Sequence, residues 1–165
     1  MIIRRVHVAE ASLLHALRLE VDGSSSGPLG HPSQRQLATQ EAEINRQLAD
    51  LESFTVAAFM GDRLVGAASI APTLLLPNWF SLFAVAVSSE FRGCGLSRPL
   101  VTECLAYAGS KNAEGVTLDV NVPNPVAKAL YDVLGFEVWN ISERAYSYEG
   151  IQYDQLSMRK RLGEA

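Results

Sequence analysis

The chain has 165 residues, of which 48% are hydrophobic and 19% charged, and its formal net charge is −4. This length predicts a single domain, residues 1–165, because it suffices for one core and not for two of ordinary size. The acidic balance argues against general nucleic-acid binding, which leaves a basic footprint. No apolar run reaches membrane-spanning length and no signal peptide precedes the first strand pattern, so we predict a cytoplasmic protein without membrane or nucleic-acid partners.

The N-terminal region predicts one strand and one helix. Ile2 to Val6 has strand character, and the helix runs from about Ala9 to Val21. Its apolar residues recur at helical spacing: Leu13, Leu14, Leu17 and Val21. His7 and His15 have no second metal-type residue at a suitable spacing, so we do not interpret them as ligands.

A segment rich in Gly, Ser and Pro follows, from Asp22 to Ser33. It predicts either a lid with His31 at its tip or a plain flexible connection. Ser33 to Leu51 then predicts an amphipathic helix. Its expected buried residues are Leu37, Ile44, Leu48 and Leu51.

The middle of the chain predicts three strands. Phe54 to Met60 and Leu64 to Ile70 flank the turn residues Gly61 to Arg63 and predict an antiparallel hairpin. Phe80 to Val87 is apolar on both faces, which is typical of a strand buried on both sides.

A turn with two glycines follows that strand and opens a helix. Gly93 and Gly95 let backbone N–H groups approach a ligand, and Pro99 fits the first helical turn. The helix is therefore expected to start at the glycines, with its buried face on Leu96, Leu100, Val101, Cys104, Leu105 and Ala108. A helix N-terminus attracts anions, and Arg92 and Arg98 add positive charge, so the turn predicts a pyrophosphate site.

Two familiar phosphate loops fit this turn poorly. A P-loop needs Gly-Lys-Ser/Thr, and Leu96 follows Gly95 here; a dinucleotide fingerprint needs a third glycine, and position 98 is Arg98. The run Arg92 to Ser97 instead resembles the acyl-CoA motif of the GNAT N-acetyltransferase superfamily, [R/Q]-x-x-G-x-[G/A]. Ser97 takes the final small position, and Ser89 replaces a proline that many members have.

A second block strengthens the resemblance. The strand Leu118 to Val122 ends at Pro123-Asn124-Pro125, and Asn124 is placed to cap a helix from Val126 to Leu134. Gly135 predicts the end of that helix. The family's second motif, N-x-x-A-x-x-L-Y-x-x-x-G-F, is matched at Asn124, Ala127, Leu130, Tyr131, Gly135 and Phe136, about 30 residues after the first motif.

The C-terminal region predicts a hairpin, Phe136 to Tyr148 and Ile151 to Arg159, with Glu149-Gly150 as its turn. The predicted element order is β-α-α-β-β-β-α-β-α-β-β. Together with the resemblance, this order implies an α/β (α+β) GNAT-like fold. Its mixed, mostly antiparallel sheet has about seven strands with a splayed central pair, and about four helices flank it.

The resemblance also implies where a coenzyme A thioester binds. Strand Phe80 to Val87 and strand Val116 to Val122 start paired and then separate, and the pantetheine arm lies in the gap like an added strand. Its backbone contacts fall on Val85, Ala86 and Val87. The pyrophosphate contacts fall on Arg92, Gly93, Cys94, Gly95, Leu96 and Ser97, with Arg98 beside them, while Asn124 bonds the pantetheine arm or orders the gap.

Acyl transfer to an amine requires a proton donor and a proton acceptor. Tyr131 occupies the family's position for the general acid that protonates the leaving thiolate. The central strand carries no carboxylate, so the base is either a water chain or a residue such as Glu20, His31 or Glu41. Strand N–H groups near Val85 are expected to meet the oxyanion.

Other reactive side chains have simpler interpretations. Cys94 and Cys104 predict reduced thiols and no metal site, and Cys94 is interpreted as a small spacer. The tyrosines of the last hairpin, Tyr146, Tyr148 and Tyr153, either edge a substrate pocket or pack across strands.

We therefore expect an acetyl-CoA-dependent N-acetyltransferase acting on a primary amine of a small molecule or a peptide, without a metal, and with a homodimer as one possible assembly. Two alternatives remain: a non-catalytic acyl-CoA-binding sensor or scaffold of the same fold, and a nucleotide-dependent redox enzyme. Acceptor pockets are built from loops that carry no recognisable signature, so the acceptor stays open.

Overall fold

The computed structural model describes the backbone of residues 1–24 and 34–163 and the side chains of residues 1–21 and 40–163. The first helix continues through Ser24, so the connection predicted to begin at Asp22 starts later than expected. The rest of that connection, with His31 and the lid proposed for it, lies outside the described residues.

The elements follow the order predicted from the sequence. In chain order they are β1 (Ile2–Arg5), α1 (Ala11–Ser24), α2 (Gln34–Ala49), β2 (Phe54–Met60), β3 (Arg63–Pro72), β4 (Trp79–Val87), α3 (Ser97–Ser110), β5 (Gly115–Asn121), α4 (Pro125–Val133), β6 (Glu137–Tyr148) and β7 (Ile151–Arg161). Short 3-10 turns at Val8–Glu10 and Ser89–Phe91 precede α1 and α3.

The strands form one seven-stranded sheet in the order β1-β2-β3-β4-β5-β7-β6. Every neighbouring pair is antiparallel except β4 and β5, which are parallel and joined through α3. A parallel pair needs such a crossover because a tight turn can join only antiparallel strands. In the described residues, the mixed, mostly antiparallel sheet and the four helices beside it confirm the predicted fold class.

Two apolar clusters cover the two faces of the sheet. On one face, Leu14 and Leu17 of α1 and Ile44 of α2 pack against the alternate residues Ala57 and Phe59 of β2. On the other face, α3 and α4 pack against β3, β4 and β5 through a larger cluster, including Leu100, Val101, Cys104, Tyr131, Val65, Leu82, Val116 and Met158. The helices are therefore paired, α1 with α2 and α3 with α4, on opposite sides of the sheet.

Two helix predictions were wrong in detail. Leu51 was expected to be buried on α2, yet it is 84% exposed because the helix ends at Ala49. The helix after the glycine turn begins at Ser97 and not at the glycines, because Gly93 and Gly95 adopt left-handed φ angles of +76° and +75° that do not continue into a helix.

A β-bulge interrupts the pairing of β3 with β4. Ser69 lies opposite Ala84 and Ile70 lies opposite Leu82, so Phe83 is an extra residue on β4. A bulge bends its strand and increases the local twist. β4 therefore changes direction in its middle.

No helix in the described part of the chain is both long and apolar enough to span a membrane.

Candidate active site

Strands β4 and β5 separate in the middle of the sheet. Their pairing covers only Trp79 to Ser81 on β4, opposite Gly115 to Thr117 on β5. Beyond those positions β4 stays paired with β3, and β5 stays paired with β7 through Asn121. The edge of β4 that faces β5 therefore presents backbone N–H and C=O groups to a gap, as an edge strand does.

A cavity of about 460 Å³ opens at this gap. It is lined by three groups of residues: Arg18 and Val21 of α1; Leu82, Phe83, Ala84, Val85 and Ala86 of β4; and Asp119, Val120, Asn121, Asn124, Ala127, Tyr131 and Gln155 from β5, α4 and β7. Pockets for small ligands reach about this size. The cavity thus connects the gap between the strands with α1 on one side and α4 on the other.

The gap explains why one prediction about β4 was wrong. Phe80 to Val87 was expected to be buried on both faces, but only the first half is, and Phe83 is 47% exposed. The second half loses its neighbour when β5 departs. Its apolar side chains then line the cavity, among them the predicted contact residues Val85 and Ala86.

The glycine turn lies at the end of β4. Arg92, Gly93, Cys94 and Gly95 are exposed, whereas Leu96 is 5% exposed and packs in the core, which leaves only its backbone to meet a ligand. Arg92 Nε donates to Val87 O at 3.4 Å, which holds the turn against the strand end. None of these residues lines the cavity itself, so any phosphate site here lies next to it.

A glycine on β3 lets α3 approach the sheet. A Cβ on Gly66 would lie 3.0 Å from Leu96 Cδ2 and 3.2 Å from Leu100 Cδ1. Because real Cβ contacts are rarely this short, a larger residue would push the start of α3 away from β3. Gly66 therefore helps to set the position of the turn relative to β4.

Asn124 caps α4, as predicted. Its side chain accepts a hydrogen bond from Ala127 N at 3.2 Å, and Pro125 follows it at the first helical position. Both Asn124 and Ala127 line the cavity. The cap therefore fixes this end of α4 at the cavity wall.

Tyr131 projects from α4 into the same cavity. Its side chain is 8% exposed and packs edge-on against Phe136, with 5.7 Å between ring centroids. Burial, together with the nearby Cys104 thiol, raises the pKa of the Tyr131 hydroxyl to about 12. A tyrosine hydroxyl is protonated at neutral pH even at its ordinary pKa of 10.0, so the shift leaves the proton in place and makes it harder to release.

Asp119 is a carboxylate in this cavity that the sequence interpretation missed. It lies on β5 between the buried residues Leu118 and Val120, so it points to the face of the sheet that α1 and α2 cover. Ser157 Oγ donates to Asp119 Oδ1 at 2.7 Å. Strand alternation could have predicted its outward direction, but only the divergence of β4 and β5 places it at the cavity.

The three residues suggested as the base have different outcomes. Glu20 does not line the cavity, and hydrogen bonds from Ser88 and Ser89 lower the pKa of its carboxyl, which makes it a weak proton acceptor. Glu41 is exposed on α2 and also lies outside the cavity lining. His31 lies outside the described residues.

The remaining candidates stay away from this cavity. Tyr146 lies opposite Tyr153 in the β6–β7 hairpin, as cross-strand packing requires, and neither residue lines the cavity, nor does Tyr148. Cys94 and Cys104 are both free thiols. Of the side chains that the structure describes, no three His, Cys, Asp or Glu lie close enough together to hold a metal ion.

Comparison with known proteins identifies the family. The family model described as "Acetyltransferase (GNAT) family" matches residues 19–136, which contain both motifs and the whole cavity wall except Arg18 and Gln155. The chain belongs to the GNAT acetyltransferase family. The resemblance predicted from the two motifs is therefore confirmed.

Curated relatives of this GNAT chain include the N-alpha-acetyltransferase RimI of Mycobacterium tuberculosis, which is 32% identical over 124 residues, 74% of this chain and 75% of RimI. An uncharacterized protein of Mycobacterium leprae is 34% identical over 66% of this chain but over only 30% of its own length. The mycothiol acetyltransferase of Thermobispora bispora is 38% identical over 36% of this chain and 20% of its own length. The chain thus spans less than a third of these last two relatives.

Solved GNAT structures share the fold over nearly the whole chain. A GNAT acetyltransferase from Streptococcus pneumoniae has a TM-score of 0.82 at 22% identity and covers 98% of this chain and 99% of its own. The yncA protein from Salmonella typhimurium, solved with acetyl-CoA, has a TM-score of 0.83 at 17% identity over 100% of this chain and 95% of its own. At these identities the similarity establishes the fold alone.

Proposed function

We propose that this GNAT protein is an acetyl-CoA-dependent N-acetyltransferase that acetylates a primary amine by direct attack, with Tyr131 as general acid. The observation that carries the proposal is the cavity at the gap between β4 and β5, with a buried tyrosine on its wall and a glycine turn beside it at the end of β4. A coenzyme A thioester matches these features: its thioester would lie near the tyrosine, its flexible arm in the gap and its diphosphate at the glycine turn. The related yncA structure, which contains acetyl-CoA, supports acetyl-CoA as the cosubstrate.

In this proposal the pantetheine arm lies along β4 and bonds to backbone groups of Val85, Ala86 and Val87. The N–H groups from Arg92 to Ser97 receive the diphosphate, with Arg92 and Arg98 supplying positive charge beside the start of α3. Two observations support this. Gly93 and Gly95 have left-handed φ angles, and no atom lies within 4 Å of the position that a Cβ would take at either residue. These glycines are needed for the shape of the turn and leave open space in front of it.

In the proposed reaction, one protein group accepts a proton and a second one donates a proton. The amine nitrogen attacks the thioester carbonyl, and backbone N–H groups of β4 near Val85 stabilise the oxyanion. Asp119 accepts the proton that the nitrogen loses, and Tyr131 donates a proton to the sulfur as the carbon–sulfur bond breaks. The products are the acetylated amine and coenzyme A, and transfer of a proton from Asp119 back to Tyr131 restores both groups.

Asp119 weakens the sensor alternative. That alternative rested on the absence of a carboxylate from the central strand, and Asp119 supplies one to the same cavity from the neighbouring strand.

The proposed acceptor is the primary amine of a small molecule or of a peptide. The name of the RimI relative, an N-alpha-acetyltransferase, supports including peptide N-termini. The cytoplasmic location and the homodimer stay predictions.

The direct test is thiol release from acetyl-CoA over a panel of small primary amines and of short peptides with free N-termini. We expect at least one class to give release above the rate of spontaneous hydrolysis, with the acetylated amine identified by mass spectrometry. Tight acetyl-CoA binding without any acceptor-dependent release would favour the sensor alternative. Tight binding of a nicotinamide dinucleotide in place of acetyl-CoA would favour the redox alternative.

A further inference from the structure

The proposed site has two halves that belong to distant parts of the chain. Arg18 and Val21 of α1 line one wall of the cavity, whereas the glycine turn follows β4. An acceptor bound at the cavity would meet α1, and a coenzyme diphosphate would meet the turn. A contact between α1 and the turn is therefore a means by which one half could affect the other.

Glu20 makes this contact. It lies between the two wall residues on α1, and its Oε1 atom accepts three hydrogen bonds, from Ser88 Oγ at 2.7 Å, Ser89 N at 3.0 Å and Ser89 Oγ at 3.3 Å. These two serines join β4 to the glycine turn. A single carboxylate thus holds the end of the strand from a helix 68 residues earlier in the chain.

The serine end of this contact is itself fixed to the sheet. Ser88 is 0% exposed, and its N–H donates to Val65 O at 2.9 Å, which continues the pairing of β3 with β4. A displacement of Ser88 therefore requires the sheet pairing or the bond to Glu20 to change. The short 3-10 turn Ser89–Phe91 then leads directly to Arg92, so the position of Ser89 sets where the glycine turn begins.

Arg63, the first residue of β3, completes the cluster. Its Nη2 atom lies 3.5 Å from Glu20 Oε2 and 3.1 Å from Ser88 Oγ, and its Nη1 atom lies 3.0 Å from Glu90 Oε2. Arg63 is half exposed, so these ion pairs add little stability by themselves. The Arg63 guanidinium contacts Glu20 Oε2 and Ser88 Oγ at once, so it lies against both ends of the hydrogen bond between them.

We propose that Glu20 is a positioning residue that couples the coenzyme half of the site to the acceptor wall. Coenzyme bound at the glycine turn holds Ser88 and Ser89, these hold Glu20, and Glu20 holds the end of α1 that lines the cavity. By linkage, ordering of α1 by an acceptor strengthens coenzyme binding by the same factor. The proposal rests on the proposed function in assigning the turn to the coenzyme diphosphate and the α1 wall of the cavity to the acceptor.

The test uses coenzyme A and the full chain, without any acceptor. Hydrogen–deuterium exchange is measured on residues 11–24 with and without coenzyme A, and the dissociation constant is measured by calorimetry. In the unsubstituted protein, we expect coenzyme A to slow amide hydrogen exchange in the second half of α1 by about fivefold or more. We expect Glu20→Ala to abolish that slowing and to weaken coenzyme A binding by a similar factor.

Three further variants separate coupling from general damage. Glu20→Gln keeps an oxygen that can accept from the serines, so it should retain part of the slowing. Ser88→Ala removes the shortest of the three bonds without changing any charge and leaves the two bonds from Ser89, so it should reduce the slowing, and it provides the test if Glu20→Ala fails to fold. Glu10→Ala is the matched control. Glu10 lies in the 3-10 turn just before α1 and pairs with Arg4 at 2.6 Å, away from the glycine turn. This variant should keep the full slowing of exchange.

The outcomes distinguish this inference from the proposed function. Coenzyme A binding without slower exchange in α1, or slowing that persists in both Glu20→Ala and Ser88→Ala, would overturn the coupling and leave acetyl transfer intact. Slowing that depends on Glu20, in a protein that acetylates no amine, would support the coupling and refute the transfer reaction. Failure of the original protein to bind coenzyme A would overturn both.

Discussion

Ser81 of β4 lies opposite Thr117 of β5, and these are the last two residues that join the two central strands. Everything proposed for the site lies beyond this pair. Val85, Ala86, Asp119 and Tyr131 all line the cavity that opens there. The point of divergence therefore decides which residues of an otherwise ordinary sheet can meet a substrate.

Replacement of Tyr131 by Phe tests the general acid. The ring and its packing against Phe136 remain, and only the proton donor is lost, so we expect kcat to fall about 10²- to 10⁴-fold with little change in acetyl-CoA affinity. Stopped-flow thiol release and calorimetry measure the two quantities. Tyr107→Phe is the control, because Tyr107 also packs partly in the core and does not line the cavity. Unchanged turnover in Tyr131→Phe would remove the role.

Replacement of Asp119 by Asn tests the proton acceptor. The amide keeps the size of the carboxyl and an oxygen for the bond from Ser157, but it cannot take up a proton, so we expect kcat/KM for the amine to fall about 10²- to 10⁴-fold. Asp132→Asn on α4 is the control, since Asp132 pairs with Lys128 at 2.7 Å and lies outside the cavity lining. Equal activities of the two variants would assign proton removal to another group.

Replacement of Gly95 by Ala tests the glycine turn. Gly95 has a φ of +75° and Gly61, in the β2–β3 turn, has +59°, and neither has an atom within 4 Å of where a Cβ would lie. Alanine should therefore destabilise the protein by about 1–2 kcal/mol at either position, through backbone strain alone.

Only the change at Gly95 should also weaken acetyl-CoA binding. We expect a loss of about tenfold or more, because a hydrogen bond to a charged group contributes about 1.5–3 kcal/mol. Calorimetric titration of both variants checks this, with chemical denaturation as the measure of stability. Equal coenzyme affinity in Gly95→Ala and Gly61→Ala would mean that the turn does not hold the diphosphate.

Alkaline pH should destabilise the fold through a buried thiol. Burial raises the pKa of the Cys104 thiol from 9.0 to about 12, so the folded protein holds this proton more tightly than the unfolded chain does. The corresponding stability is complete below pH 9 and is lost as the pH rises from 9 to 12. Urea denaturation across this range should show a flatter decline in Cys104→Ala, whereas Cys94→Ala, at an exposed thiol, should follow the original protein. A decline of the same steepness in all three would contradict the assignment.

Local signals in the sequence were sufficient for much of the fold. Asn124 followed by Pro125 predicts the α4 cap, and the cap bond to Ala127 is present. Gly93 and Gly95 predict a turn before a helix, and both have left-handed φ angles. These features depend on a few neighbouring residues, so their patterns are readable without the rest of the chain.

The features that were missed depend on distant residues. The contact of Glu20 with Ser88 and Ser89 joins segments almost 70 residues apart, and no local pattern announces it. The exposure of Phe83 and the placement of Asp119 both follow from the separation of β4 and β5, which apolar alternation along one strand does not encode. Leu51 was misplaced because the hydrophobic period continues for two residues after α2 has ended.

The extra residue at Phe83 has a consequence for the energetics of ligand capture. Since β4 carries one residue more than β3 at this point, removing the bend would require the pairing of β3 with β4 to shift by one residue, which no small movement of side chains achieves. The gap that begins after Ser81, two residues earlier, is therefore already open in this structure, and an entering ligand need not break hydrogen bonds between β4 and β5. Such preorganisation favours tight binding, because no part of the binding free energy is used to open the strands.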